Sequence, residues 1–138
     1  MRAVVLAALL LAACEKKPKP AAAPQPPVTR ESGLTVQVLR PGDGDDAKSG
    51  DKVTVHYVGT LADGGAQFDS TRDRDQPFQF WVGERQVIEG WDEGILGMRE
   101  GELRRLTVPP KLGYGSERKP GIPPNSTLVF EVELVDVR

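Results

Sequence analysis

At 138 residues the chain is long enough for one folded domain with tails and too short for several. Its 18 Lys plus Arg against 20 Asp plus Glu leave a net charge of −2, which gives no general attraction for phosphate backbones and argues against a nucleic-acid function. One Cys and one His exclude an intrachain disulfide and a structural zinc site.

Arg2 is followed by the unbroken apolar run Ala3 to Ala13, too short for a membrane-spanning helix of about 20 residues. A positive charge, an apolar run and then Leu11-Ala12-Ala13 directly before the one thiol, Cys14, form the layout of a secretory signal. The segment resembles a bacterial lipoprotein signal. That resemblance implies cleavage after Ala13, lipidation of Cys14 and stable anchoring in a lipid bilayer by two or more acyl chains. The expected location is the bacterial cell envelope, lipid-anchored on the periplasmic face of the inner or outer membrane. Residues 14–31 hold Pro18, Pro20, Pro24, Pro26 and Pro27 among Ala and Lys, without apolar periodicity. They read as a linker, of which Glu15 to Arg30 in a polyproline conformation would reach up to about 50 Å. The folded domain is expected over 32–138.

Within it, Leu34 to Leu39 is β-branched and partly alternating until Pro41-Gly42-Asp43-Gly44 breaks it. Val53, Val55 and Tyr57 alternate with Thr54 and His56 in a second strand that stops near Asp63-Gly64-Gly65. Phe68 follows, and Asp69 to Asp75 is too charged for core and reads as a loop or bulge. Phe78 to Val82 is a further strand. Apolar residues at 88, 91, 95 and 98 fit one face of a short helix that Gly90, Gly94 and Gly97 weaken. Arg104, Leu106 and Val108 share one face of a strand ended by Pro109-Pro110. Leu128, Phe130, Val132 and Leu134 alternate with Glu131 and Glu133, the pattern of a sheet with one wet side. The fold class is therefore α+β, with about five antiparallel strands and one short helix covering the apolar face.

No phosphate-binding loop, zinc-protease motif or nucleophile elbow occurs. Asp43-Gly44-Asp45-Asp46 lacks the sixth-position Gly and distal Glu of a calcium loop. His56 has no second His or nearby Cys to complete a triad. No cofactor and no metal is expected. What remains is a set of rings and aliphatics beside turn residues: Tyr57, Phe68 with Asp69, Phe78, Val87 with Ile88, Trp91, Tyr114, Ile122 and Phe130. Tyr57 and Tyr114 need hydroxyl partners if buried, and Asp69 is a charge beside apolar bulk.

From Gly33 onward the chain resembles the FKBP family of peptidyl-prolyl cis-trans isomerases. The resemblance rests on Val55-His56-Tyr57-Val58-Gly59, Phe68-Asp69-Ser70-Thr71-Arg72-Asp73-Arg74, Pro77-Phe78-Gln79-Phe80, Val87-Ile88-Glu89-Gly90-Trp91, Leu112-Gly113-Tyr114-Gly115 and Ile122-Pro123-Pro124 running on through Leu134. It implies a half-barrel sheet wrapped around a short helix, and a proline pocket with Trp91 as floor and Tyr57, Phe78 and Phe130 as walls. It further implies catalytic roles for these four, Asp69 and Tyr114, and substrate contacts from Phe68, Arg74, Val87, Ile88 and Ile122. The Ile88 N–H and Tyr114 hydroxyl would donate to carbonyls of the bound chain. Implied partners are proline-containing polypeptides and macrolide inhibitors of the tacrolimus or rapamycin type. With no dimerisation segment recognised, a monomer is expected. The loop from Gly115 to Gly121 is one residue shorter than in the best-known members, and Lys119 stands where some carry His.

Such a pocket suits the chemistry. Rotation about an amide faces about 18–20 kcal/mol, and X-Pro bonds isomerise in tens to hundreds of seconds. Raising about 0.01 per second to about 10–1,000 per second removes about 4–7 kcal/mol and needs no nucleophile, metal or base. The implied role is folding of envelope proteins. A tethered module that grips proline segments without turnover would use the same residues.

Overall fold

Two ten-residue strands organise the sheet because their apolar residues alternate almost without interruption. The computed structural model describes residues 23–138, so Cys14 and the segment read as a signal lie outside the described residues. The elements are β1 (Val28–Thr29), β2 (Thr35–Arg40), β3 (Lys52–Leu61), β4 (Gln67–Ser70), β5 (Phe78–Trp81), α1 (Glu89–Ile95), β6 (Leu103–Val108) and β7 (Leu128–Val137). A short 3-10 turn at Pro110–Leu112 follows β6. In β3, Val53, Val55, Tyr57 and Gly59 are buried; in β7, Leu128, Phe130, Val132 and Leu134 are. A period of two puts both sets on one face of the sheet.

All pairings are antiparallel, in the order β1-β2-β6-β7-β3-β4, with β5 also pairing with β3. β7 therefore lies between β6 and β3, and its register sets Phe130 opposite Gly59 and Leu106. Among the described residues the sheet has seven strands, where about five were expected. The additional two are β4, in the stretch read as a loop from Asp69 onward, and β1, inside the segment read as linker. Val28 and Thr29 pair with Val36 and Thr35, the Gln25 N–H donates to the Val38 carbonyl at 2.9 Å, and Arg30 reaches the Glu93 carbonyl at 3.0 Å. An open edge of β2 supplies backbone partners that proline-poor residues such as Val28 and Thr29 can meet.

Helix α1 is shorter than the span from Ile88 to Met98, because Leu96 leaves the helical region and Gly97 turns at φ +84. It buries Gly90, Trp91, Gly94 and Ile95. Its glycines admit a close approach to β6: a Cβ at Gly90 would stand 2.7 Å from Val108, and one at Gly94 2.7 Å from Leu106. The helix thus lies against the sheet with the Trp91 ring directed to the space between β3, β5 and β7.

Candidate active site

The open end of that space is a cup of about 170 Å³ lined by Tyr57, Phe68, Asp69, Phe78, Gln86, Val87, Ile88, Trp91, Tyr114 and Phe130. An apolar cavity of about 150 Å³ accepts a benzene-sized molecule, so the cup has room for one small ring. Its walls are aromatic edges. The Trp91 ring lies 4.8 Å from Tyr57 at 87°, 5.3 Å from Phe130 at 85° and 6.1 Å from Phe78 at 74°. Phe68 meets Phe130 edge to face at 5.6 Å. These perpendicular contacts favour the positive edge of one ring on the negative face of the next, which holds each ring against rotation. Trp91 is 4% exposed, and its Nε1 is the one buried side-chain polar atom without a protein partner among the described residues.

The polar group of the cup is built across β3 and β4. The Tyr57 hydroxyl donates to Oδ2 of Asp69, whose Oδ1 accepts the Ser70 N–H at 2.9 Å and the Arg74 guanidinium. Burial, and then the hydrogen bond to Asp69, push the Tyr57 phenol up to about 12. For Asp69, burial opposes ionisation, but the Tyr57 hydroxyl, Arg74 and the Ser70 N–H outweigh it and hold the carboxyl below its usual range. Tyr57 is therefore a fixed neutral donor and Asp69 a fixed anion at neutral pH.

At the rim, Ile88 precedes α1 and its carbonyl accepts the Trp91 and Asp92 N–H groups at 2.9 and 3.2 Å, while its own N–H makes no backbone hydrogen bond among the described residues. Tyr114 carries the Lys119 ammonium 5.7 Å from its ring centre, a distance at which a cation is attracted to the face of the ring.

Nine of the eleven residues singled out for the pocket line the cup: Tyr57, Phe68, Asp69, Phe78, Val87, Ile88, Trp91, Tyr114 and Phe130. Arg74 stands behind it, joined through Asp69. Ile122 is 6% exposed, packs in the core cluster, and its backbone bridges to Lys119. Gln86 lines the cup unannounced; its Oε1 accepts the Trp81 N–H at 2.9 Å, a bond that no motif or periodicity signals. Among the described residues no group of three or more His, Cys, Asp or Glu is placed to hold a metal ion.

Comparison with known proteins agrees with this geometry. The profile of the family described as FKBP-type peptidyl-prolyl cis-trans isomerase matches residues 44–135. The peptidyl-prolyl cis-trans isomerase Fkbp12 of Drosophila melanogaster is 52% identical over 107 residues, covering 76% of this chain and 98% of that protein. An FK506-binding protein of Neisseria meningitidis serogroup B is 50% identical over 106 residues, covering 76% of this chain and 96% of that protein. FK506-binding protein 2B of Rhizopus delemar is 47% identical over 115 residues, covering 83% of this chain, which spans only 55% of that protein. The crystal structure of FkpA from Escherichia coli superposes with a TM-score of 0.74 at 46% identity, covering 81% of this chain and 51% of that one. This chain belongs to the FKBP-type peptidyl-prolyl cis-trans isomerases.

Proposed function

We propose that the aromatic cup over Trp91 is where this chain performs the isomerisation of X-Pro bonds that its family membership assigns to it. The observation that carries this reading is an aromatic-walled, ring-sized cup with a neutral phenol and a paired carboxylate at its edge. A planar amide is a strong dipole that water stabilises, whereas the twisted form has lost resonance and part of that dipole. Seating proline on Trp91, between Phe78 and Phe130, removes water and disfavours the planar state more than the twisted one. Phe68 packs on the residue before proline, and the Tyr114 hydroxyl and Ile88 N–H hold carbonyls of the bound chain. Asp69 keeps Tyr57 and Arg74 in place around the rotating bond.

The same cup takes the ring of a macrolide of the tacrolimus or rapamycin type. The protein works as a single chain, lipid-anchored at Cys14 on the periplasmic face of an envelope membrane, with clients among proline-containing envelope proteins. Mass spectrometry of the mature N-terminus tests the anchor: an acylated Cys14 is expected, and an unmodified Met1 rejects it. A protease-coupled assay on proline peptides tests the reaction. A rate equal to that in buffer rejects it, as does undiminished turnover in Trp91→Ala.

A further inference from the structure

Tyr57, Asp69 and Arg74 come from β3, β4 and the loop after β4, so something must fix the three relative to one another. We propose that Thr71 is their positioning residue, serving β3 with its hydroxyl and N–H and the Arg74 loop with its carbonyl. The inference rests on the catalytic reading above.

Thr71 is fully buried, although the stretch around it is charged and solvated. The β3–β4 ladder runs through Gly59 opposite Asp69 and Val58 opposite Ser70, and Thr71 falls on the next rung, opposite Tyr57. One bond of that rung is regular: the Thr71 N–H donates to the Tyr57 carbonyl at 3.1 Å. In an antiparallel pair the return bond runs from the Tyr57 N–H to the Thr71 carbonyl. Here the Tyr57 N–H donates instead to Thr71 Oγ1 at 2.8 Å.

The displaced carbonyl is not wasted. It accepts the Gln76 N–H at 3.2 Å and closes a loop in which the Asp75 N–H donates to the Arg72 carbonyl at 3.2 Å and Asp75 turns at φ +48. Arg74 sits inside this closed loop, and its guanidinium reaches Asp69. The Thr71 hydroxyl also lies 3.0 Å from His56 Nδ1 and 3.4 Å from the Tyr57 carbonyl. It is satisfied whichever His56 tautomer is present, since it can donate to either neighbour. One side chain thus replaces a main-chain acceptor so that the main chain can hold the loop. A valine of the same shape cannot do this, and a serine can.

The test compares Thr71→Val with Thr71→Ser in the full chain, reading kcat/KM on a proline peptide and the Tyr57 phenol titration. A buried donor left unpaired costs enough to expect a loss in kcat/KM of about tenfold or more in Thr71→Val, with Thr71→Ser close to the parent. The phenol step near 12 should move down in Thr71→Val and stay in Thr71→Ser. On a Tyr57→Phe background, Thr71→Val should add little, because the two act through one group. A folded Thr71→Val with parental kcat/KM and an unmoved phenol step overturns the proposal. Should Thr71→Val not fold, amide exchange in the unaltered chain decides: the Gln76 N–H should exchange as slowly as the β3 amides, and loop-like exchange overturns the proposal. An unaltered chain without isomerase activity would instead reject the catalytic reading, while the phenol titration and amide exchange still report on Thr71.

Discussion

The Tyr57 hydroxyl donates to Oδ2 of Asp69 across the β3–β4 pair, and this bond moves the two groups' ionisation in opposite directions. Burial and the Asp69 bond hold the phenol protonated to about 12, against about 10 for an unfolded tyrosine. The folded state therefore binds this proton more tightly. Its contribution to stability is complete below about pH 10 and is lost as pH rises through about 12. The chain has two tyrosines, so an ultraviolet phenolate titration should show a step near 12 that vanishes in Tyr57→Phe.

Asp69 has the reverse sign. Burial works against its charge, but Tyr57 and Arg74 prevail and its folded value lies below the ordinary carboxylate value of about 3.9. Glu133 behaves likewise: burial opposes its charge, and Arg40 at 2.9 Å and Arg72 at 3.1 Å overcome it. Stability from both is present above the unfolded values and is lost as pH falls through the depressed folded ones. Acid unfolding followed by tryptophan fluorescence should show Asp69→Asn less stable than the parent at neutral pH, with the gap closing as pH falls through the depressed value. A gap constant with pH contradicts the assignment.

Phe78 and Phe80 stack at 5.6 Å but divide the work of β5. Phe78 is 37% exposed on the cup, whereas Phe80 is 3% exposed in the core. Phe80→Ala should cost about 3–5 kcal/mol of stability. Phe78→Ala should cost about 1–2 kcal/mol yet lower kcat/KM about tenfold or more, as a lost wall worth at least 1.4 kcal/mol in the transition state requires. Urea unfolding and the peptide assay on both variants check the contrast. Equal effects on stability would show that Phe78 is ordinary core.

Sequence patterning made the long strands readable because β3 and β7 each keep a period of two over most of their length. The cup was readable for a different reason: aromatic residues beside Asp69 and the turn at Tyr114 form ordered motifs, and nine of the residues they contain do line one cavity. Short edge elements were not readable. Gln67 to Ser70 holds one large apolar residue, and Val28-Thr29 follows two prolines, so neither has enough residues to show a period. Thr71 is a small polar residue among charges, and its burial comes from partners on another strand. Gln86 was not expected at the cup because the path of a loop, unlike a strand face, has no repeat to read.

Gly59 is required by the cup and not by backbone freedom. A Cβ there would stand 2.6 Å from Phe68 Cζ, 2.8 Å from Phe68 Cε2 and 3.0 Å from Phe130 Cε1. Gly59→Ala must displace both rings, with an overpacking cost of about 1–3 kcal/mol. Isomerase activity should fall further than stability, since the rings moved are the walls that receive proline. The measurement is kcat/KM beside the urea midpoint, with Gly64→Ala as a reference at a turn where no atom lies within 4 Å but φ is +80. Gly64→Ala should lose stability through backbone strain and keep its turnover per folded molecule.

The charge on the core face of β6 finds its partners below the helix. Arg104 Nε donates to Glu102 Oε2 at 2.6 Å, and its Nη1 donates to the Gly94 carbonyl of α1 at 2.9 Å. Both side chains are less than one-tenth exposed. Glu102 Oε1 in turn accepts the Arg99 N–H at 3.3 Å, so the pair ties the turn before β6 to the helix that carries Trp91. Removing one member of a buried pair strands the other charge, and Glu102→Ala should cost about 3–5 kcal/mol. Exchanging both for apolar residues of similar volume should restore most of that, because the desolvation of two ions disappears with them. By contrast, Asp136→Ala breaks only the exposed pair with Arg138 and should change stability by less than about 1 kcal/mol. Urea midpoints at constant slope separate the three; a Glu102→Ala midpoint as little changed as that of Asp136→Ala would mean that water reaches the pair and that the Glu102 carboxylate adds nothing to how α1 is held.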